Sequence, residues 1–153
     1  MERQNVVGAS AWSYFVPYQP HLDRALQELR QRVFAEGDYY WGLGADWVPP
    51  EERRPQPQTI TELFADEYVQ ECGTHSILDM DHVLGPGEGP DYRTVEPVSA
   101  AEAKERAGTD RLTRAHIDAI DDLVRSRWFG RCAVLHDDAG KPAEIYFWGY
   151  SGD

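Results

Sequence analysis

Apolar and polar positions change rhythm several times along this chain, and those changes divide it into elements. Residues 12–18, WSYFVPY, are rich in strand formers and end in turn chemistry. They predict a strand with Trp12, Tyr14 and Tyr18 on one side and Val16 between them. Pro20 suits the first turn of a helix. Leu22, Ala25, Leu26, Leu29 and Val33 then recur at helical spacing, with Arg24, Glu28, Gln31 and Arg32 off that face. Gly37 is placed to stop this helix, and residues 38–41 predict a short strand.

The rhythm is lost over residues 42–58, where Gly42, Gly44, Pro49, Pro50, Pro55 and Pro57 remove backbone donors or add freedom. Seventeen residues without a repeat is long for a compact domain, the length at which a loop is usually functional or mobile. Thr59 and Glu62 form a capping-box pattern that predicts one helix to about Glu71, stopped by Gly73. Residues 75–79 predict a strand, and the Gly/Pro-rich residues 85–90 a second loop. Residues 92–98 read as an edge strand, because Pro97 lacks a ladder donor. Ser99 and Glu102 open a short helix ending near Gly108, and Thr113 opens another to about Arg127. Residues 132–135 and 144–150 are apolar on both faces and flank Asp137 to Gly140, which predicts a hairpin of central strands with a G1 bulge at Gly140. The expected fold is therefore α+β: one domain over residues 1–153, a mixed, mainly antiparallel sheet, about four helices and a C-terminal β-hairpin.

Charge changes this picture. The chain carries a net −12, and residues 36–100 hold fourteen acids against three arginines. The flanking thirds are close to neutral, so the acidity is a regional field and not a uniform coat. Such a field repels nucleic acid and anionic membrane and draws in a basic partner. No apolar run approaches a membrane span, and residues 1–12 lack the apolar stretch of a secretory signal, so a cytoplasmic location is expected. Cys72 and Cys132 lie beside or within apolar segments and read as free thiols, with a disulfide between them left open.

Candidate chemistry is sparse. His75, Asp79, Asp81 and His82 fall within eight residues and offer metal-ligating or acid–base groups, but match no recognised ligand spacing. Cys72 with His75 could pair a nucleophile and a base, yet the segment is the most acidic of the chain, which disfavours a thiolate. Gly85, Gly87 and Gly89 lie in an acidic loop, the wrong setting for phosphate. The expectation is no cofactor, no metal and no catalytic residue, with the His75/Asp79/Asp81/His82 cluster as the alternative. Tyr39, Tyr40, Trp41 and Trp47 flank the long loop, and aromatics beside acids suit a basic protein surface. The expected partner-binding residues are Tyr40, Trp41, Asp46, Trp47, Glu51, Glu52, Asp79 and Asp81.

The segments WSYFVPY (12–18), FAEGDYYW (34–41), GTHSILD (73–79) and GYSGD (149–153) resemble small actinobacterial proteins, a group that implies no activity. In size, acidity and single-domain build the chain also resembles immunity proteins of bacterial polymorphic-toxin systems. That second resemblance implies a cytosolic inhibitor of a basic toxin.

Overall fold

The computed structural model describes residues 9–153. Its frame is a five-stranded mixed open sheet built from β1 (Ala11–Pro17), β2 (His82–Val83), β3 (Thr94–Pro97), β4 (Phe129–His136) and β5 (Pro142–Tyr150). The strand order is β1-β5-β4-β3-β2. β5 runs antiparallel to both β1 and β4, while β2, β3 and β4 are mutually parallel; the antiparallel ladders are the longer. Five α-helices accompany the sheet among the described residues: α1 (Leu22–Glu36), α2 (Ile60–Phe64), α3 (Glu67–Cys72), α4 (Ala100–Ala107) and α5 (Ile117–Ile120). None of them is long and apolar enough to cross a membrane.

Two-sided strands need two cores. Cys132, Ile145 and Phe147 point to a cluster with Trp12, Val16, Leu26, Leu29, Ile77 and Met80. Their chain neighbours Ala133, Leu135, Tyr146 and Trp148 point the other way, to Ala103, Leu112, Ile120 and Val124. The alternation of the pleat thus explains why residues 132–135 and 145–148 are apolar on both faces. Gly149 is demanded by this packing, because a Cβ there would stand 2.5 Å from the Trp12 ring and 2.7 Å from the Phe129 carbonyl. The hairpin closes as its residues predict: Gly140 is left-handed (φ 77°), and the ladder shifts register between Leu135 and His136.

The two sheet edges are treated differently. At the β2 edge, Asp23 of α1 accepts from the Val83 N–H at 3.0 Å, and Gln27 donates to the Asp81 carbonyl at 2.8 Å. No described residue outside β5 makes a backbone bond to β1 between Ala11 and Pro17.

Several local expectations are corrected. Residues 92–98 do not form an edge: β3 lies between β2 and β4, and Pro97 is tolerated because it ends the strand. Residues 38–41 are irregular, because Tyr40 spends its N–H on the Thr74 carbonyl instead of a ladder. Residues 59–71 divide into α2 and α3, because the Asp66 carboxylate caps a new helix by accepting from Val69 N at 3.2 Å. The helix expected from Thr113 to Arg127 shortens to α5 with 3-10 turns on either side. Its Asp121 carbonyl is taken by the Trp148 indole N–H at 3.1 Å. Residues 75–79 are no strand but a bend leading into a 3-10 turn at Ile77–Asp79, since Ser76 caps that turn through Leu78 N.

Candidate functional site

The bend after α3 brings together two segments seventy residues apart in sequence, residues 73–79 and 149–153. Gly73 makes this possible. Its φ of 77° is left-handed, and a Cβ there would stand 2.4 Å from Ser151 Oγ and 2.6 Å from Asp79 Oδ2. Asp79 is wholly buried. Its Oδ1 accepts from Thr74 N at 2.7 Å and from the Thr74 hydroxyl at 2.8 Å. Its Oδ2 lies 2.5 Å from Ser151 Oγ. Burial raises the Asp79 carboxyl above its ordinary range, against the lowering pull of these bonds and of the Arg93 charge.

This buried knot fixes a half-exposed surface above it. His75 follows Thr74 with φ 57°, a left-handed conformation uncommon for a residue with a side chain, and donates its N–H to Ser151 Oγ at 3.2 Å. Its Nε2 lies 2.6 and 2.7 Å from the two carboxylate oxygens of Asp153. That carboxylate is brought into place by the bonds of Ser151 N and Ser10 N at the end of the β1–β5 ladder. Tyr40 stacks on the imidazole at 4.9 Å with planes 7° apart. Tyr68 of α3 leans on Tyr40 at 6.3 Å. Partial burial first, then the Tyr40 phenol beside it, push the Tyr68 hydroxyl up to about 12. The result is a rigid aromatic and carboxylate surface formed by Tyr40, Tyr68, His75 and Asp153.

The long loop starts at this surface, with Gly42 against the rings of Tyr40 and Tyr68. It is more ordered than its composition implies. Trp41 donates its indole N–H to the Arg54 carbonyl at 3.0 Å and packs on the first core. Arg53 donates to the carbonyls of Val48 and Asp46, both at 2.9 Å. Asp46, Glu51 and Glu52 are left exposed, and Trp47 is 69% exposed.

Of the expected partner-binding residues, Tyr40 lies in the aromatic cluster, Trp41 serves mainly as a strut, and Asp46, Trp47, Glu51, Glu52 and Asp81 face solvent. Asp79 does not, and burial removes it from any docking surface. The candidate group His75/Asp79/Asp81/His82 is not brought together. His75 pairs with Asp153, Asp79 with Thr74 and Ser151, and His82 is held between Asp81 (2.8 Å) and Glu88 (2.7 Å). No group of three or more His, Cys, Asp or Glu among the described residues is placed to hold a metal ion. Both cysteines are free, and burial pushes the Cys132 thiol up to about 12. Ser151, Asp153 and Tyr68 were missed by sequence reasoning. For Ser151 and Asp153 the signal was the pair of distinctive segments GTHSILD and GYSGD, which the fold joins; Tyr68 lies outside both.

The class defined here is an α+β domain with a two-faced mixed sheet and a bend-borne aromatic surface. No protein-family model, no curated protein and no solved structure matches the chain.

Proposed function

We propose that this protein is a binding module whose acidic, aromatic surface docks a basic protein partner, in the manner of an immunity protein that neutralises a toxin in the cytoplasm. The observation that carries this reading is the pairing of regional charge with exposed aromatics. Residues 36–100 hold fourteen of the 27 acids, and this stretch also contains Trp47 at 69% and Tyr68 at 40% exposure. Rigid aromatic side chains lose little entropy on docking, and a surrounding negative field speeds encounter with a positive surface. The strained His75 backbone and the buried Asp79 knot support the reading, since both hold Tyr40 and Asp153 in place before any partner arrives.

Co-expression with the product of the adjacent gene tests the proposal. A basic product should co-purify as a stable complex whose association rate falls steeply with salt. Trp47→Ala should weaken it by on the order of tenfold or more without lowering the melting temperature, and Tyr68→Ala should weaken it by a similar factor. A neighbour that is not basic, or a basic one that forms no complex at about 10 µM, overturns it.

A further inference from the structure

We propose that two copies of this chain join edge to edge across β1, with Ser13 of one copy opposite Ser13 of the other. The inference starts from the ladder. Tyr18 N donates to the Ala143 carbonyl of the strand beside it, which fixes the parity: the even residues Trp12, Tyr14 and Val16 bond β5. The backbone groups of Ala11, Ser13 and Phe15 therefore point away from the sheet. They form a row of three donors and three acceptors with no partner among the described residues.

A bare edge of this kind usually carries a protecting charge, a bulge or a cover. The β2 edge has such a cover in Asp23 and Gln27. Among the described residues β1 has nothing comparable. Its seven residues, AWSYFVP, hold no charge in a chain of net −12, and its ladder with β5 runs without a bulge. Pro17 is the one blunting residue, and it stands at the end.

Charge also selects the occupant. Copies of a molecule of net −12 repel one another through the acidic middle third, so they can approach closely only where the local charge is near zero. β1 is such a place. The exposed stripe of the following helix, Arg24, Glu28 and Arg32, alternates in sign, and Glu28 is already held by Arg24 and Gln19, so it adds none of the repulsion that the middle third supplies.

The register follows from the donors. A two-fold axis at Ser13 sets Ala11 opposite Phe15 of the second copy and uses all three donors and all three acceptors on each side. Pro17 then falls outside the ladder, where its missing N–H costs nothing. On the outer face the Phe15 ring, already flanked by Tyr146 at 4.9 Å and roofed by Arg114 at 4.0 Å, meets the small Ala11 side chain of the second copy. The two five-stranded sheets become one of ten strands.

Sedimentation of the full chain tests this. A dimer should form at micromolar concentrations, and Ser13→Pro should weaken it at least tenfold. That change removes a donor that β5 does not use, so the monomer keeps its fold. Ser13→Lys sets two like charges across the axis and should give the same loss, which keeps the test valid if the proline variant unfolds. Position 13 also reports register. Directly opposed residues of a bonded antiparallel pair stand about 5.5 Å apart at Cα, within reach of a disulfide. Ser13→Cys in a Cys72→Ser background, oxidised with copper phenanthroline, should therefore cross-link nearly completely, and Phe15→Cys in the same background should not. A chain that stays monomeric at about 0.5 mM, or a dimer that Ser13→Lys leaves unchanged, overturns the proposal.

Discussion

Asp79 and Ser151 pose a proton-counting problem with one good solution. The Ser151 hydroxyl lies 2.5 Å from Asp79 Oδ2 and 3.1 Å from the Cys72 carbonyl, and its oxygen accepts from His75 N. One hydroxyl proton cannot serve both acceptors. If Asp79 holds a proton on Oδ2, it donates to Ser151, Ser151 donates to Cys72, and every group is satisfied. Burial raises the Asp79 carboxyl in the same direction. The folded state therefore holds this proton more tightly than the unfolded chain, whose carboxyl titrates near 3.8. The contribution to stability is full below that value and is lost as pH rises through the higher folded value. Asp79→Asn keeps the donor pattern of the protonated acid. Relative to the native chain it should gain stability as pH rises from about 4, measured by urea unfolding at several pH values. A difference that does not vary with pH refutes protonation. Asp79→Ala should cost roughly 2–4 kcal/mol at about pH 4, because it strands the Thr74 N–H in the interior, and less as pH rises. In the sequence Asp79 looked like one surface acid among many. Nothing local in GTHSILD reveals that Ser151, 72 positions away, covers it.

At the scale of elements, legibility followed the range of the forces. Helix α1, the capping box at Ser99, the cap at Thr113 and the β4–β5 hairpin rest on contacts within a few residues, and the sequence carries them. The parallel β2–β3–β4 arrangement rests on distant pairing. A four-residue strand ending in proline gives no hint that it lies inside a sheet. The Gly/Pro-rich loop after β2 hides a local feature that its composition does not show. Glu88 accepts from Gly85 N at 2.9 Å with one oxygen and meets His82 Nε2 at 2.7 Å with the other, while Asp81 holds Nδ1 at 2.8 Å. Hydrogen bonds to Glu88 first, then to Asp81, raise the His82 imidazole above its usual 6.5, and Glu88 is lowered by the Gly85 N–H first and then by His82. Other charges near this clasp are Asp23 and Arg30 on α1, and Arg30 interacts with Asp81. The stabilisation from a raised histidine is fully present below about 6.5 and lost as pH rises through its folded value. Amide exchange of residues 85–89, corrected for its intrinsic pH dependence, should thus be protected at pH 6 and less so at pH 8.5. His82→Gln should remove that difference, and equal protection at both pH values would show that the loop holds without the clasp.

For the whole molecule, the question is whether its charge opposes its fold. Opposite-charge pairs are present, notably Arg114 with Glu144, Arg106 with Asp122 and the buried Arg131 with Glu96 and Glu102. The first two are surface contacts of the kind worth little, and all three involve the C-terminal third. The middle third has few cations to offset its acids, and Arg53 directs its guanidinium to backbone carbonyls. Exposed Asp46, Glu51, Glu52, Glu62, Glu67 and Glu71 are left to repel one another. Repulsion between exposed charges is screened over a Debye length of about 10 Å at 0.1 M salt. Raising potassium chloride from about 10 to 300 mM should therefore raise the melting temperature by a few degrees. A Glu51→Gln/Glu52→Gln/Glu67→Gln variant should melt higher at low salt and respond less to added salt. Acids kept at such a cost to stability are what a docking surface for a basic partner requires, and the same variant should lose association rate toward that partner. A melting temperature that falls with salt would place the balance with the ion pairs and leave the acidity with no cost to explain.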